Sequence, residues 1–143
     1  VKKIKKYLIK EEALESFDVI GICTSQSDFR LAWQLNSKFD IKLQKSGRTL
    51  EIPNKKSGDL ELFDYYYFQH PEDLISYYLI KNKQNARYVL TEKQSIDYAL
   101  VLQENHVIDG LELVDDLRNT EEIIAAFYFK SSEFSNESYL IFD

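Results

Sequence analysis

Residues 17–24, FDVIGICT, form a nearly continuous apolar run with β-branched Val19, Ile20 and Ile22 and one glycine, Gly21. Such a run predicts a strand covered on both faces, inside a sheet. Ser25 follows, with Asp28 three positions on, so a side-chain cap at Ser25 and an acid in the first turn predict a helix that ends near Lys38. Phe29, Ala32, Trp33 and Asn36 share one face of this helix, and Leu31 and Leu35 widen the apolar stripe.

Beyond Ile41 the helical period gives way to short alternating runs. Residues 41–44 and 49–52, separated by Lys45-Ser46-Gly47-Arg48, predict a hairpin. The polar stretch from Pro53 to Gly58 predicts a turn. Leu60 to Phe68 carries Phe63, Tyr65, Tyr66, Tyr67 and Phe68, a β-favouring cluster closed by His70-Pro71. Leu74 to Ile80 and Ala86 to Leu90 predict two further strands joined by a polar turn, and Ile96 to Gln103 another. Val107, Leu111, Val114 and Leu117 restore a helical period, predicting a helix over about 108–118 with Asp115 and Asp116 on its wet face. Glu122 to Phe129 predicts a last long strand. Consecutive short strands between two separated helices indicate an α+β fold, a mostly antiparallel sheet with two main helices packed on one face.

The length fits one domain, 1–143, with a basic N-terminal segment over 1–15 and a C-terminal tail over 131–143 expected to pack back on the body. Ten Tyr and nine Phe supply enough apolar area for a core despite 29% charged residues. Lys2, Lys3, Lys5, Lys6 and Lys10 concentrate five positive charges in the first ten residues; against a total of −6, residues 11–143 therefore carry −11. A body of that sign repels phosphate backbones, so nucleic-acid binding is not expected. The basic N-terminal segment reads as a solvated or charge-flanked strand. No stretch approaches the roughly 20 apolar residues of a membrane span, and 4–9 is too short and charged for a signal-peptide core, so no membrane contact and a cytoplasmic location are the expectation. The chain has no methionine, so Val1 is not expected to be an initiator. The single Cys23 sits in the first apolar run and is expected to be a buried, inert thiol.

The run Leu90-Thr91-Glu92-Lys93-Gln94-Ser95-Ile96-Asp97-Tyr98 leads directly into the apolar 99–102. It resembles the motif of the bacterial IPExxxVDY proteins, with Leu90, Glu92, Ile96, Asp97 and Tyr98 on the matching positions and Thr91 in place of the proline. Residues 17–22 and 28–36 are similar to the N-terminal half of the same family. The resemblance runs from about Phe17 to near the C-terminus and implies no particular activity. The backbone restriction that a proline would impose at position 91 is absent.

Glu92 and Asp97 could act as an acid–base pair or hold a hard cation; equally, Glu92 could satisfy backbone donors in the turn while Asp97 and Tyr98 alternate faces at a strand start. No metal is expected, because His70 and His106 lie far from these carboxylates and form no ligand spacing. Asp28, Arg30 and Trp33 form a second constellation: a guanidinium beside an indole can hold a carboxylate or phosphate, or Trp33 can be core and Arg30 the ion-pair partner of Asp28 or of a carboxylate across the sheet. The aromatic cluster, flanked by acids, suits core packing or a protein interface through Tyr65 and Tyr67 rather than base stacking. The four scattered glycines offer no phosphate cradle and no cofactor is expected; no GxSxG elbow or Cys–His pairing marks a covalent hydrolase. The expectation is a protein-interaction module that binds a protein partner or self-associates, through the tyrosine face or an open sheet edge. The alternative is a small-ligand-binding protein or enzyme with an acidic site around Glu92, Asp97, Tyr98 and Arg30.

Overall fold

The computed structural model describes residues 17–140 and 142; the basic segment 1–15 lies outside the described residues. In chain order the elements are β1 (Asp18–Thr24), α1 (Asp28–Phe39), β2 (Gln44–Pro53), β3 (Leu60–Gln69), β4 (Ser76–Lys81), β5 (Lys83–Gln84), β6 (Arg87–Tyr88), β7 (Tyr98–Gln103), α2 (Gly110–Arg118) and β8 (Ile123–Lys130). Two 3-10 turns, Ser131–Glu133 and Glu137–Leu140, follow. Six strands make one antiparallel sheet in the order β2-β3-β4-β7-β1-β8, with β5-β6 as a separate small ribbon. The α+β architecture is the one the sequence pattern predicts.

Both faces of the sheet are covered. On one, Ile20, Ile22, Leu79, Tyr98, Leu100 and Leu102 pack under Leu31, Ala32 and Leu35 of α1 and Leu113, Val114 and Leu117 of α2. On the other, Val19, Phe63, Tyr65, Tyr78, Ile80, Ala99 and Val101 are roofed by Val89, Leu90 and Ile96 from the β6–β7 connection and by Phe134 and Leu140 from the C-terminal segment. This double cover explains why β1, β4 and β7 read as near-continuous apolar runs rather than alternating ones. Gly21 is required where the second layer meets β1: a Cβ there would lie 2.8 Å from the Phe129 ring and 2.9 Å from Ile96 Cδ1.

Several boundaries differ from expectation, each for a local reason. The cap of α1 is Ser27, whose hydroxyl accepts from Arg30 N at 3.4 Å, and not Ser25. Ser25 belongs to the turn leaving β1, where Thr24 Oγ1 accepts from Gln26 N. The predicted hairpin over 41–52 is a single strand, β2, whose register shifts between Lys45 and Thr49. A tight reversal there would call for positive φ, and Gly47 does not adopt it. Positive φ falls instead on Asn85 and Ala86 (52° and 64°), which form the two-residue turn between β5 and β6. The strand predicted over 86–90 therefore shrinks to Arg87–Tyr88. The second helix starts at Gly110, capped by Asp109, and turns Leu113, Val114 and Leu117 inward, leaving Val107 and Leu111 exposed.

Candidate functional site

The motif region is built around Asn82, just after β4, which is fully buried. Its Oδ1 accepts from Leu90 N at 2.7 Å, and its Nδ2 donates to Lys93 O at 3.0 Å and Ile96 O at 2.8 Å. Its backbone carbonyl accepts from Val89 N and its N–H donates to Asp97 O. One amide side chain thus templates the turn from 89 to 97. Asn136, also buried, donates from Nδ2 to Val89 O at 2.8 Å and ties the C-terminal segment to the same turn.

The polar motif residues extend this fastening outward. Glu92 Oε2 accepts from Ser135 N at 2.6 Å and Oε1 accepts from the Thr91 hydroxyl at 2.7 Å. Burial acts to raise the Glu92 pKa, but the donors from Thr91 and Ser135 outweigh it and hold the carboxyl below its ordinary value. Asp97 Oδ2 accepts from Thr24 N at 2.9 Å, at the end of β1. The Tyr98 hydroxyl donates to Gln26 O at 2.8 Å, and its pKa is pushed up to about 12 by burial and by the charges of Asp28 and Asp97. Cys23 beside them is half-buried, its S–H donating to Ser95 O at 3.7 Å; burial, then the charge of Asp97, raises the thiol pKa.

These residues do not share one cavity. Asp97 and Tyr98 line an open, polar cleft of about 480 Å³ with Lys81, Lys83, Tyr88 and Gln94. Arg30 lines a neighbouring cleft of about 510 Å³ with Ser27, Glu122 and Ile124; the two have Ser25 and Gln26 in common. Glu92 lines neither, since it faces the C-terminal segment. Among the described residues no cluster of three or more His, Cys, Asp or Glu side chains is placed to hold a metal.

The aromatic residues are distributed differently from expectation. Tyr65 is buried, its ring 4.9 Å from that of Phe142 and 5.9 Å from that of Tyr78, because the C-terminal segment lies over this face. Phe142 stacks on Tyr78 at 3.7 Å. Tyr67 is 38% exposed. The large free aromatics sit on α1: Phe29 is 69% and Trp33 68% exposed, one turn apart, with exposed Arg30 beside them and Ile124 across the second cleft. Trp33 is thus not a core residue. Leu31, Ala32 and Leu35 take the inner side of α1, and a helix apolar on more than one face must leave the rest outside. Nor does Arg30 pair with Asp28: the Asp28 carboxylate accepts from Phe29 N at 2.7 Å, and among the described residues Arg30 has no ion-pair partner within 4.0 Å.

The β8 edge of the sheet is partly blunted. Arg118 Nε donates to Ala126 O at 3.0 Å, so even-numbered backbone groups of β8 face outward, and Lys130 N is taken by Glu133 Oε2 at 2.8 Å.

No family model matches the chain, and no curated protein or solved structure is detectably similar to it. Among the described residues no helix is long and apolar enough to cross a membrane.

Proposed function

We propose that this domain is a protein-interaction module whose docking surface is the outer face of α1. The observation that carries the reading is the pair Phe29 and Trp33, each more than two-thirds exposed on a helix capped at both ends. Tryptophan and arginine are the residue types most enriched at the energetic centres of interfaces, and Arg30 stands between the two rings. An aromatic side chain covers about 150–250 Å² when buried. Two rings two-thirds exposed therefore offer about 5–8 kcal/mol of gross burial at ~25 cal/mol per Å², before the costs of association.

The occupant is a partner protein with an apolar patch set in a basic surface. The charge of −11 on residues 11–143 steers such a partner toward the domain and opposes a second copy of the same body. The motif residues support a function away from them: Glu92, Asp97 and Tyr98 each bond a backbone group of this chain, and the second Glu92 oxygen is taken by the Thr91 hydroxyl. Those fastening contacts also give a physical reason for a Glu, an Asp and a Tyr at that spacing, which supports the proposed kinship with the IPExxxVDY proteins.

The test is affinity capture from a lysate of the source organism with the wild-type chain, the Phe29→Ser/Trp33→Ser variant and Tyr67→Ser. The expected result is a stoichiometric partner retained by wild type and Tyr67→Ser and lost by the α1 variant, with unchanged circular dichroism. A partner held equally by all three places the interface elsewhere.

A further inference from the structure

A cavity of about 350 Å³ lies between the C-terminal half of α1 and the first turns of α2, within the range of ~300–1,000 Å³ typical of small-molecule sites. Its apolar lining is Tyr77 of β4 and Leu100 of β7 with Leu35, Phe39 and Leu113 from the helices. All of these but Phe39 are buried core residues, so the packing of the fold itself holds the cavity in shape. None of them belongs to the outer face of α1. Three acids, Asp109, Glu112 and Asp116, line the cavity from α2. Their spacing of three and four residues sets them in one row along the helix, where like charges oppose one another. Asp109 caps α2 by accepting from Leu111 N, but the Glu112 and Asp116 carboxylates accept no hydrogen bond, and none of the three has an ion-pair partner within 4.0 Å among the described residues.

A second, independent observation concerns Tyr77. It is only 6% exposed, yet among the described residues its hydroxyl has no hydrogen-bond partner, whereas the hydroxyls of Tyr98 and Tyr128 donate to Gln26 O and to Asp18 Oδ1. A tyrosine hydroxyl taken out of water ordinarily has a partner. Arg87 Nε is the one fully enclosed side-chain polar atom without a partner among the described residues, so the Tyr77 hydroxyl keeps contact with open space. A molecule entering the cavity can supply the missing bond.

We infer that this cavity binds a small organic cation, a protonated amine on an aromatic or alkyl body, with its ammonium group set against Glu112 and Asp116, its body on Leu100 between Phe39 and Leu113, and a polar atom bonded to the Tyr77 hydroxyl. Charge selects the class. An anion would meet three carboxylates, and an uncharged molecule of the same shape would gain the apolar burial but leave the acid row uncompensated. The Phe39 and Tyr77 rings favour the same sign, because the face of an aromatic ring attracts a cation. A bare metal ion does not suit the place: the lining is largely apolar, and no acidic cluster among the described residues is placed to hold one.

The test is an amide-resolved NMR titration of the full chain with a panel of arylalkyl and alkyl amines, tyramine and phenethylamine among them, each paired with the alcohol that replaces its ammonium group. The expected result is saturable shifts at the amides of Leu35, Phe39, Leu100 and Leu113, with each alcohol about ten-fold weaker than its amine. Glu112→Gln/Asp116→Asn, which alters only exposed side chains, should bring the amines down to the level of the alcohols and leave the alcohols unchanged. Tyr77→Phe should weaken tyramine about three- to ten-fold, the loss of one hydrogen bond, and leave phenethylamine, which lacks the phenol, unchanged. The inference is overturned by saturable shifts from none of the amines, by alcohols that bind as tightly as amines, by shifts centred on Phe29 and Trp33, or by amine affinity that neither variant moves. None of these results bears on the α1 docking face, which is read by its own variants.

Discussion

Replacing Asn82 by alanine should cost the domain about 3–7 kcal/mol, more than any substitution of the charged motif residues. The side chain holds three backbone groups, Leu90 N, Lys93 O and Ile96 O. The bonds to Leu90 N and Ile96 O are buried, so alanine strands a donor and an acceptor away from water at about 1–3 kcal/mol each. Lys93 is exposed and its carbonyl can turn to solvent, adding only the ~1 kcal/mol of an ordinary bond. Loosening of the turn also uncovers Leu90 and Ile96, which roof the second core. For a domain of this size the sum corresponds to a fall in Tm of about 10–25 °C. Equilibrium urea unfolding at pH 7, followed by far-UV circular dichroism and by exchange of the Leu90 amide, measures it. Asn82→Asp is the informative companion, since it keeps the acceptor for Leu90 N but sets a carboxylate against two carbonyls. A loss below about 1 kcal/mol for alanine, or an unchanged exchange rate at Leu90, would refute the role assigned to Asn82.

Other outcomes follow from the same contacts. Because the Glu92 pKa is held below its unfolded value, its contribution is fully present above the ordinary glutamate pKa of about 4.3 and is lost as pH falls through the depressed folded value. Glu92→Gln should therefore flatten the acid limb of a stability–pH curve, and an identical limb in both proteins would contradict the Ser135 contact. Tyr77, Tyr98 and Tyr128 have folded pKa values of about 12, raised first by burial, so whatever they contribute is whole below the unfolded value of about 10 and is lost as pH rises through 12. Phenolate absorbance should thus develop in two stages, with the late stage smaller in Tyr98→Phe; a single stage near pH 10 in the folded protein would show those hydroxyls to be free. Gly21→Ala should destabilise by about 1–3 kcal/mol, since its methyl must displace the tips of Phe129 and Ile96, and denaturant unfolding that shows no loss would mean the second layer is looser than described.

The fold class was legible because the two periods are strong: continuous apolar runs at 17–24 and 96–103 became β1 and β7, and the helical spacings expected from a cap at Ser25 to near Lys38 and over 108–118 became α1 and α2. What periodicity could not supply was the inward side of a helix that is apolar on more than one. In α1 the aliphatic set Leu31, Ala32 and Leu35 packs against the sheet, so the larger Phe29 and Trp33 are left outside, and α2 repeats the pattern with Leu113 inside and Leu111 out. The exposed aromatic face of α1 was therefore present in the sequence as an excess of apolar residues over what one buried side can hold. Asn82 gave no such signal, because a lone Asn in a polar stretch reads as a turn residue, and its role depends on a turn brought back from residues 89–97. The choice between core and interface for Tyr65 was not legible, because nothing local announces that residue 142 returns to cover it.

Trp33 is the chain's only tryptophan, so its fluorescence reports on the proposed docking face alone. The direct measurement is the emission spectrum and acrylamide quenching of the dilute, folded protein, repeated with the captured partner added. The account predicts emission at the position of free indole in water and unhindered quenching for the protein alone, then a blue shift, protection from acrylamide and at least about thirty-fold weaker partner binding in Trp33→Ala. Blue-shifted, protected emission from the dilute protein by itself, or no change on adding a partner that binds, would contradict it.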